Sequence, residues 1–360
     1  MEKRYEIIQG DSLELLKKIE SNSVDCIFAD PPYFMQSTDN VLQRADGTGE
    51  YKGCDDEWDK YSGYGEYDEF SYQWLKECKR ILKDNGTIWV IGSFQNIYRI
   101  GYIMQNLGFW ILNDVIWNKT NPTPNMAGTR FCNAHETLLW CSKSKNSKFT
   151  FNYKTMKYLN GNKQEKSVWT LGICQGNERL KNKNGEKLHT TQKPLSLLEK
   201  IILSSTKPSD LILDPFCGTG TTGTVCKKYN RYFIGIEREK KYIDAAIERI
   251  GKQKDESDEI SNLVLEVKPP RVSMKQLIED SYIVVNETLY DKDGIEKCIV
   301  LKNGYVLIQN EEKSIHKASA FILNKANHNG WDYFYIKRKN KLISINELRY
   351  EYCKNNKKSS

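Results

Sequence analysis

The chain has 360 residues, 39% of them hydrophobic and 28% charged, which is enough apolar material for a sizeable core and excludes a disordered protein. No apolar run approaches the roughly 20 residues that a membrane span requires, and the N-terminus lacks the apolar stretch of a signal peptide. The ten cysteines include no Cys-x-x-Cys pair, so we expect reduced thiols of a cytosolic protein, and neither disulfides nor a zinc site.

The net charge of +7 is unevenly distributed along the chain. Residues 1–117 carry 12 basic and 20 acidic side chains, residues 118–190 carry 13 and 4, and residues 267–360 carry 17 and 11. The basic central segment also contains aromatic side chains, a combination typical of proteins that bind a polyanion with stackable bases. A solvated lysine-rich face is the alternative, so the charge favours nucleic acid without establishing it.

Short strand patterns and helical patterns alternate through the first 250 residues. The predicted strands are YEIIQ, VDCIFAD, TIWVIGS, WILNDVIW, ETLLWCS, LILD and YFIGIE. The predicted helices are SLELLKKI and residues 67–82, 195–204, 221–228 and 240–250, and a turn is predicted at Asn85-Gly86. Residues 143–190, rich in Lys, Asn and Gly, predict an irregular insertion. The alternation predicts an α/β fold with a parallel sheet covered on both faces.

A polar run after Gly251 predicts a linker, and the pattern then changes. From about Ser273, short β runs are separated by turn signals at residues 293–294 and 303–304, which are Asp-Gly and Asn-Gly. We therefore expect one domain over residues 1–265 and a small α+β domain over residues 273–360.

The segment LILDPFCGTGTTG (211–223) carries the first chemical signal. Its glycine-rich turn follows an apolar strand and opens a helix, where a ligand meets backbone N–H groups and the helix dipole. Glu237 ends the next predicted strand, where a carboxylate can accept both ribose hydroxyls. A carboxylate at the turn, Asp214, repels pyrophosphate, and no Gly-Lys-Thr or Gly-Lys-Ser motif is present. These features disfavour NAD and ATP and favour a cationic ligand with a ribose, S-adenosylmethionine.

The segment VDCIFADPPYFM (24–35) carries the second signal, at the end of a buried strand. Its two prolines fix φ and lack N–H donors, so a carboxylate and backbone carbonyls remain as hydrogen-bond acceptors. The Asp30 carboxylate and the Pro31 carbonyl suit the exocyclic amino group of a planar base, on which Tyr33 can stack. The alternative is a strand terminator, made by Pro31 and Pro32, with a core tyrosine.

The order of these two motifs resembles the beta class of DNA amino-methyltransferases, in which the target-amine motif precedes the cofactor motif. GDSLELL (10–16) and TTQKPLSLLEKII (190–202) resemble two further cofactor segments of that class. Other segments resemble the HinfI-type adenine methylases that act on GANTC. They are DDEWD (55–59), residues 91–122, RFCNAHETLLW (130–140), SIHKASA (314–320) and NGWDYFYI (329–336). The match covers nearly the whole chain, and Cys217 is its one departure.

The resemblance implies a Rossmann-like, S-adenosylmethionine-dependent methyltransferase with a mixed seven-stranded sheet and a small α+β C-terminal DNA-binding extension. The strands that end at Asp30 and Asp214 are expected to be neighbours, so that cofactor and flipped base share one crevice. The catalytic residues that it implies are Asp30, Pro31, Pro32 and Tyr33. The implied cofactor-binding residues are Asp11, Ser12, Thr191, Gln192, Lys193, Asp214, Phe216, Gly218, Thr219, Gly220, Thr221 and Glu237.

Residues 118–190 and 273–360 are the expected target-recognition insertion and DNA-recognition domain. The expected DNA contacts are Arg130, Asn133, Arg179 and Asn329, whose types pair with purine edges, Lys119 and His135, and Trp58 and Trp331, which can stack on bases. For each of them, an ordinary surface or core role is the alternative. His135 and Glu136 are also metal-ligand types, but the other three histidines form no ligand spacing with them, so no metal is expected.

The expected reaction is methyl transfer from S-adenosylmethionine to adenine N6 within GANTC in flipped-out duplex DNA, either in a restriction–modification system or by a solitary regulatory methylase. Cytosine-N4 methylation is disfavoured because that class usually has Ser in place of Asp30. A DNA-binding protein without catalysis is disfavoured because the cofactor loop is intact. Double-stranded DNA is the expected partner, and a homodimer and a cognate restriction endonuclease are left open. The expected location is the bacterial cytoplasm, at the nucleoid, without a membrane.

Overall fold

The structure is a computed structural model that describes residues 4–34, 42–43, 50–51, 59–125, 128–254, 272–339 and 341–356. The chain divides into two compact units, Met1–Glu266 and Val267–Ser360. Most of the predicted linker lies outside the described residues. No helix of the described residues is long and apolar enough to cross a membrane.

The first unit alternates strands with helices. Its strands are β1 (Tyr5–Gln9), β2 (Val24–Ala29), β3 (Leu42–Gln43), β4 (Glu50–Tyr51), β5 (Leu82–Gly92), β6 (Trp110–Lys119), β7 (His135–Ser142), β8 (Val168–Leu171), β9 (Leu211–Asp214) and β10 (Tyr232–Glu237). Its helices are α1 (Ser12–Leu16), α2 (Tyr64–Ile81), α3 (Ile97–Asn106), α4 (Tyr153–Leu159), α5 (Leu195–Ser205), α6 (Thr221–Lys228) and α7 (Lys240–Lys252), with a short 3-10 helix at Gly176–Glu178.

Eight strands form one mixed sheet in the order β1-β10-β9-β2-β5-β7-β6-β8. Neighbours from β1 to β5 run parallel, β7 is antiparallel to β5 and β6, and β8 is parallel to β6. The expectation of seven strands is therefore wrong. The eighth strand, β8, lies in the segment that was predicted to be irregular. Its four residues are too few to show the alternation of a strand among polar neighbours, so the sequence did not predict it. A separate pair, β3 and β4, runs antiparallel.

The middle of the sheet is covered on both faces, as the α/β pattern predicted. Ile27 and Ala29 of β2 join a core that contains Trp74 of α2, and Phe28 joins a second core that contains Leu198 of α5. A strand buried on both sides has no polar face, which explains its continuous apolar sequence. The α/β fold expected from the sequence, with its sheet covered on both faces, is confirmed.

The turn predicted at Asn85-Gly86 is wrong. Both residues lie inside β5, where the register with β2 shifts between Val24 and Cys26. A Cβ atom on Gly86 would lie 2.9 Å from the Asp25 carbonyl oxygen, so this close backbone approach requires a glycine.

The second unit has a six-stranded antiparallel sheet in the order β14-β13-β12-β11-β15-β16. These strands are β11 (Thr288–Tyr290), β12 (Glu296–Val300), β13 (Val306–Ile308), β14 (Glu311–Lys313), β15 (Tyr335–Arg338) and β16 (Lys341–Ser344). Its helices are α8 (Met274–Glu279), α9 (Ile315–Ile322), a 3-10 helix at Gly330–Asp332, and α10 (Ile345–Asn356). Together the sheet and helices enclose a separate apolar core that includes Leu289, Val300 and Phe334.

Candidate active site

A cavity of about 330 Å³ lies at the carboxyl ends of β2, β9 and β10. Because β2 and β9 are paired neighbours, with Ile27 opposite Leu213, the loops that follow both strands reach the same cavity. The predicted site residues that line it are Asp11, Ser12, Asp30, Pro31, Pro32, Tyr33, Thr191, Gln192, Lys193, Asp214, Phe216, Gly218, Thr219, Thr221 and Glu237. Gly220 lies immediately before α6.

The carboxylate of Asp214 ends β9 and is almost completely buried. Its Oδ1 accepts from the backbone N–H of Phe216 at 3.0 Å, and its Oδ2 accepts from the Thr222 hydroxyl at 2.6 Å. Burial raises the pKa of Asp214 to about 7, although these two hydrogen bonds lower it in part. A buried carboxylate of this kind gains most from a cation placed beside it.

The turn after Asp214 is compact because two of its glycines are left-handed. Gly218 and Gly220 have φ angles of 48° and 72°, which residues with a side chain rarely adopt. A Cβ atom on Gly220 would also lie 2.8 Å from the Cβ atom of Ala246 in α7. The turn therefore brings the start of α6 directly against the cavity.

Glu237 ends β10 with its carboxylate fixed by backbone groups. Its Oε2 accepts from the N–H of Gly218 at 2.9 Å, and its Oε1 accepts from the N–H groups of Arg238 and Glu239, both at 2.8 Å. Burial raises its pKa, which the three N–H groups lower in part. Each carboxylate oxygen has room for more than one donor, so this fixed group can also accept from a ligand.

Several of the predicted cofactor residues also hold the protein together. The Asp11 side chain caps α1 by accepting from the N–H of Leu13 at 2.8 Å, and the Ser12 hydroxyl donates to the Pro215 carbonyl at 2.5 Å. Gln192 accepts from the N–H of Leu180 at 3.0 Å and donates to the Glu178 carbonyl at 2.9 Å. The Thr191 N–H donates to Nδ1 of His189 at 3.2 Å.

The target-amine motif is tied to a lysine that the sequence assigned to the cofactor. Lys193 Nζ donates to Asp30 Oδ2 at 2.7 Å and lies 5.2 Å from the centre of the Tyr33 ring. The Tyr33 hydroxyl is 3.0 Å from Asp30 Oδ1, and the Pro32 carbonyl accepts from Tyr67 at 3.0 Å. Burial raises the pKa of Asp30, and Lys193 opposes that shift. Lys193 therefore contacts two residues of the target-amine motif directly.

Sequence reasoning missed Glu136, which it considered only as a metal ligand. Glu136 Oε1 accepts from Lys119 Nζ at 2.6 Å, and Oε2 is 3.0 Å from the Tyr33 hydroxyl and 3.9 Å from Lys193 Nζ. Burial alone would raise the pKa of Glu136, but Lys193 and Lys119 outweigh it and hold the pKa below its usual value. The missing signal was topology, since β7 must pair between β5 and β6 to bring Glu136 here.

The predicted DNA contacts of the first unit fall into three groups. Arg130 and Asn133 are exposed on the segment that leads into β7, and His135 is exposed as its first residue. The Arg130 guanidinium lies 5.7 Å from the centre of the Phe94 ring. Lys119 is paired with Glu136, and Arg179 donates to the carbonyls of residues 189 and 190 at 3.0 and 3.3 Å. Trp58 lies outside the described residues.

In the second unit, Trp331 lies in the apolar core, which agrees with the core role given as its alternative, and its contact with DNA stays a prediction. Its ring is only 8% exposed in the core of that unit, and the Arg349 guanidinium covers it at 4.1 Å. Asn329 accepts from the N–H of Trp331 at 3.3 Å and donates to Asp332 at 2.6 Å, which makes it the cap of the short 3-10 helix. Among the residues described in both units, no group of three or more His, Cys, Asp and Glu is placed to hold a metal ion.

The DNA methylase family matches residues 24–248, which contain both motifs of the cavity. The chain belongs to this family. The type II methyltransferase M.HinfI of Haemophilus influenzae is 62% identical over 346 residues, which cover 96% of each protein. This chain is therefore a DNA methyltransferase, and the family and enzyme class expected from the sequence are confirmed.

Solved structures of DNA methyltransferases share the fold of the first unit. The complex of M1.HpyAVI with S-adenosylmethionine has 30% identity and a TM-score of 0.50, covering 68% of this chain and 98% of that one. The PvuII DNA methyltransferase, which is cytosine-N4-specific, has 21% identity and a TM-score of 0.55. The match covers 73% of this chain and 92% of that one, and at this identity it shows only that the fold is shared. The methyltransferase depends on S-adenosylmethionine, as expected from the cofactor loop.

Proposed function

We propose that this methyltransferase transfers a methyl group to N6 of adenine within GANTC in duplex DNA. The observation that carries the proposal is that the hydrogen-bond acceptors of Asp30 and Pro31, with the Tyr33 ring beside them, line the same cavity as Asp214 and Glu237. The resemblance of the sequence to GANTC methylases, which extends into the second unit, supports the choice of site.

The residues of the cavity fit S-adenosylmethionine. A volume of about 330 Å³ is within the range of small-molecule sites. In this proposal, Glu237 accepts both ribose hydroxyls, and Asp214 receives the ammonium group of the methionine part, which is supported by its buried carboxylate with a pKa of about 7. The bound cofactor supplies a methyl group that its sulfonium already activates.

The protein's own task is then to align and activate the target amine. Asp30 and the Pro31 carbonyl each accept one N6 hydrogen, which stabilises the positive charge that develops on nitrogen during transfer. Duplex DNA hides N6, so the base must leave the stack at a cost of a few kcal/mol, which stacking on Tyr33 partly offsets. Asp30 need not be a strong base, because the methylated ammonium is acidic and loses its proton readily.

The decisive experiment identifies the methylated base. The protein is incubated with labelled S-adenosylmethionine and duplexes that contain GANTC or a scrambled site, and the DNA is digested to nucleosides. We expect label in N6-methyladenine from the GANTC duplex alone. Label in N4-methylcytosine would overturn the assignment, and equal labelling of the two duplexes would overturn the site.

The second unit is proposed to recognise DNA. The excess of basic residues over 267–360, which carry 17 basic and 11 acidic side chains, supports this role. A chain that ends at Glu266 keeps both motifs of the cavity and should still bind S-adenosylmethionine. Its affinity for GANTC DNA should fall, and the salt dependence should flatten by about one unit for each phosphate that the shortened chain no longer neutralises. Fluorescence anisotropy at several salt concentrations measures both. If the folded, shortened chain discriminates GANTC as well as the full chain, recognition lies in residues 118–190.

DNA is the partner that the family implies. A restriction endonuclease of the same specificity is proposed as well, supported by the type II designation of M.HinfI. A location in the bacterial cytoplasm at the nucleoid completes the proposal, and a homodimer is left open, as it was from the sequence.

A further inference from the structure

Two carboxylates, two ammonium groups and one phenol form a connected network at the target-amine motif. Lys193 Nζ is 2.7 Å from Asp30 Oδ2 and 3.9 Å from Glu136 Oε2. The Tyr33 hydroxyl is 3.0 Å from both Asp30 Oδ1 and Glu136 Oε2, and Lys119 is 2.6 Å from Glu136 Oε1. None of the four charged side chains is more than 18% exposed. Solvent therefore screens these charges poorly, and the ionisation of each depends on the others.

The hydroxyl of Tyr33 cannot satisfy both carboxylates at once. Burial, and then the charge of Asp30, raise the pKa of Tyr33 well above its usual value, so the phenol keeps its single hydrogen. Ionised carboxylates accept hydrogen bonds and do not donate them. When both are ionised, the hydrogen goes either to Asp30 or to Glu136. Glu136 thus competes with Asp30 for the same hydrogen, and it shares the Lys193 cation as well.

We propose that Glu136 is a positioning residue for methyl transfer, which sets the ionisation of Asp30 by competing for the Tyr33 hydroxyl and the Lys193 ammonium. The inference rests on the proposed function, because that function assigns Asp30 to the target amine. Glu136 acts through Tyr33 and Lys193, which line the cavity. Lys119 in turn neutralises Glu136 from the last residue of β6.

The network predicts the direction in which the loss of each charge shifts the pH dependence of methyl transfer. Among the residues that the structure describes, Lys193, Tyr33, Glu136 and Asp214 act on the charge of Asp30, and Arg179 acts on that of Lys193. Transfer needs ionised Asp30, so the rate falls as pH falls through its pKa. This fall in rate is the acid limb of the pH profile. Loss of the Glu136 charge lowers the pKa of Asp30 and moves the acid limb to lower pH. Loss of the Lys193 charge raises the pKa and moves the limb upward by about 1–3 units.

The test is single-turnover methylation of a GANTC duplex by the full chain across the acid and neutral range. Cofactor and duplex are saturating at each pH, so that titration of Asp214 does not limit the rate. We expect Glu136→Gln to shift the acid limb downward, Lys193→Met to shift it upward, and Lys193→Arg to restore it towards wild type. The matched control is Glu165→Gln, whose side chain is also 13% exposed and pairs with Lys200 at 2.6 Å. It should leave the limb unmoved.

A merely structural role for Glu136 would lower the rate at every pH and leave the acid limb in place. That result, or an upward shift in Glu136→Gln, overturns the inference while wild-type adenine methylation still stands. Absence of N6-methyladenine in the wild-type reaction overturns the proposed function, and the inference with it. Calorimetric S-adenosylmethionine binding, within about twofold of wild type, verifies the fold of the Glu136 and Glu165 variants independently of turnover. Thermal unfolding verifies the fold of the Lys193 variants, because Lys193 lines the cofactor cavity.

A second variant keeps the role of Glu136 testable if Glu136→Gln does not fold. Lys119→Met removes one of the two cations that lower the pKa of Glu136. Lys193, the stronger of the two, remains, so Glu136 stays ionised while Asp30 titrates and competes with it more strongly. The acid limb should then move to higher pH, opposite to the shift expected for Glu136→Gln. An unmoved limb in a folded Lys119→Met protein overturns the inference.

Discussion

The proposed cofactor end of the cavity, at Asp214 and Glu237, is held by partners close in sequence. The proposed target end, at Asp30 and Tyr33, is held by side chains from distant segments. The side chains of Asp214 and Glu237 accept their described hydrogen bonds from donors that lie within 19 residues along the chain. The lysine that binds Asp30 is 163 residues away, and the glutamate that binds Tyr33 is 103 residues away.

This difference separates what each end of the cavity needs. The cofactor is the same in every catalytic cycle, and a carboxylate fixed by backbone N–H groups costs no rearrangement when the ligand binds. The target base arrives from duplex DNA, and its amine becomes charged only during transfer. A network of side chains whose ionisation is shared suits that change of charge. The target end should therefore govern rate, and the cofactor end should govern affinity.

The largest effect should follow from Asp30→Ala. We expect the rate of methyl transfer to fall by at least about 10²–10³-fold, because the acceptor that stabilises the developing charge on N6 is removed. Affinities for S-adenosylmethionine and for DNA should stay within a few-fold of wild type. Single-turnover kinetics and calorimetry measure the two separately. Wild-type turnover in this variant would remove Asp30 from the mechanism.

Asp214→Ala should abolish detectable S-adenosylmethionine binding by calorimetry, since the carboxylate proposed for the ammonium group is removed. The variant also leaves the Thr222 hydroxyl and the Phe216 N–H without their partner, at a cost of about 1–3 kcal/mol each. Thermal unfolding must therefore accompany the titration, with Asp214→Asn as the less disruptive comparison. Normal cofactor affinity in a folded variant would contradict the assignment of the loop.

The sequence could predict residues whose signal is local, and it could not predict residues whose role depends on distant segments. Asp214 and Glu237 were recognisable because strand, turn and helix are local patterns, and Asp30 because its two prolines are a local signal. Glu136 was not, since its role depends on the pairing of β7 between β5 and β6. The burial of Trp331 could not be predicted, because the sequence is the same whether the side chain is exposed or covered by Arg349. Local chemistry was predictable, and the pairing of the strands that end at Asp30 and Asp214 followed from the resemblance, whereas the pairing of β7 was not predictable.

Glu237→Ala should weaken S-adenosylmethionine binding by tens of fold, a smaller loss than in Asp214→Ala. Two ribose hydrogen bonds at ~1–2 kcal/mol each account for it. Part of the effect comes from Gly218, whose N–H loses its acceptor at 2.9 Å. Calorimetry with S-adenosylmethionine and with its 2′-deoxy analogue distinguishes the two causes. If the variant still prefers the cofactor with both hydroxyls as strongly as wild type does, Glu237 does not bind the ribose.

The smallest of these effects is a pH dependence of cofactor affinity that belongs to the cofactor end alone. Burial raises the pKa of Asp214 to about 7, and the cofactor's ammonium group requires the ionised carboxylate. Below pH 7, Asp214 must release a proton before the cofactor binds, so affinity should fall by up to about tenfold per pH unit, and it should level off above pH 7. Asp214→Asn should bind weakly with no such slope, whereas Glu136→Gln should keep the wild-type slope because Glu136 belongs to the target end. Isothermal titration in buffers of different ionisation enthalpy counts the proton released on binding. A slope that persists in Asp214→Asn, or that disappears in Glu136→Gln, would show that the two ends of the cavity titrate as one unit and that their separation fails.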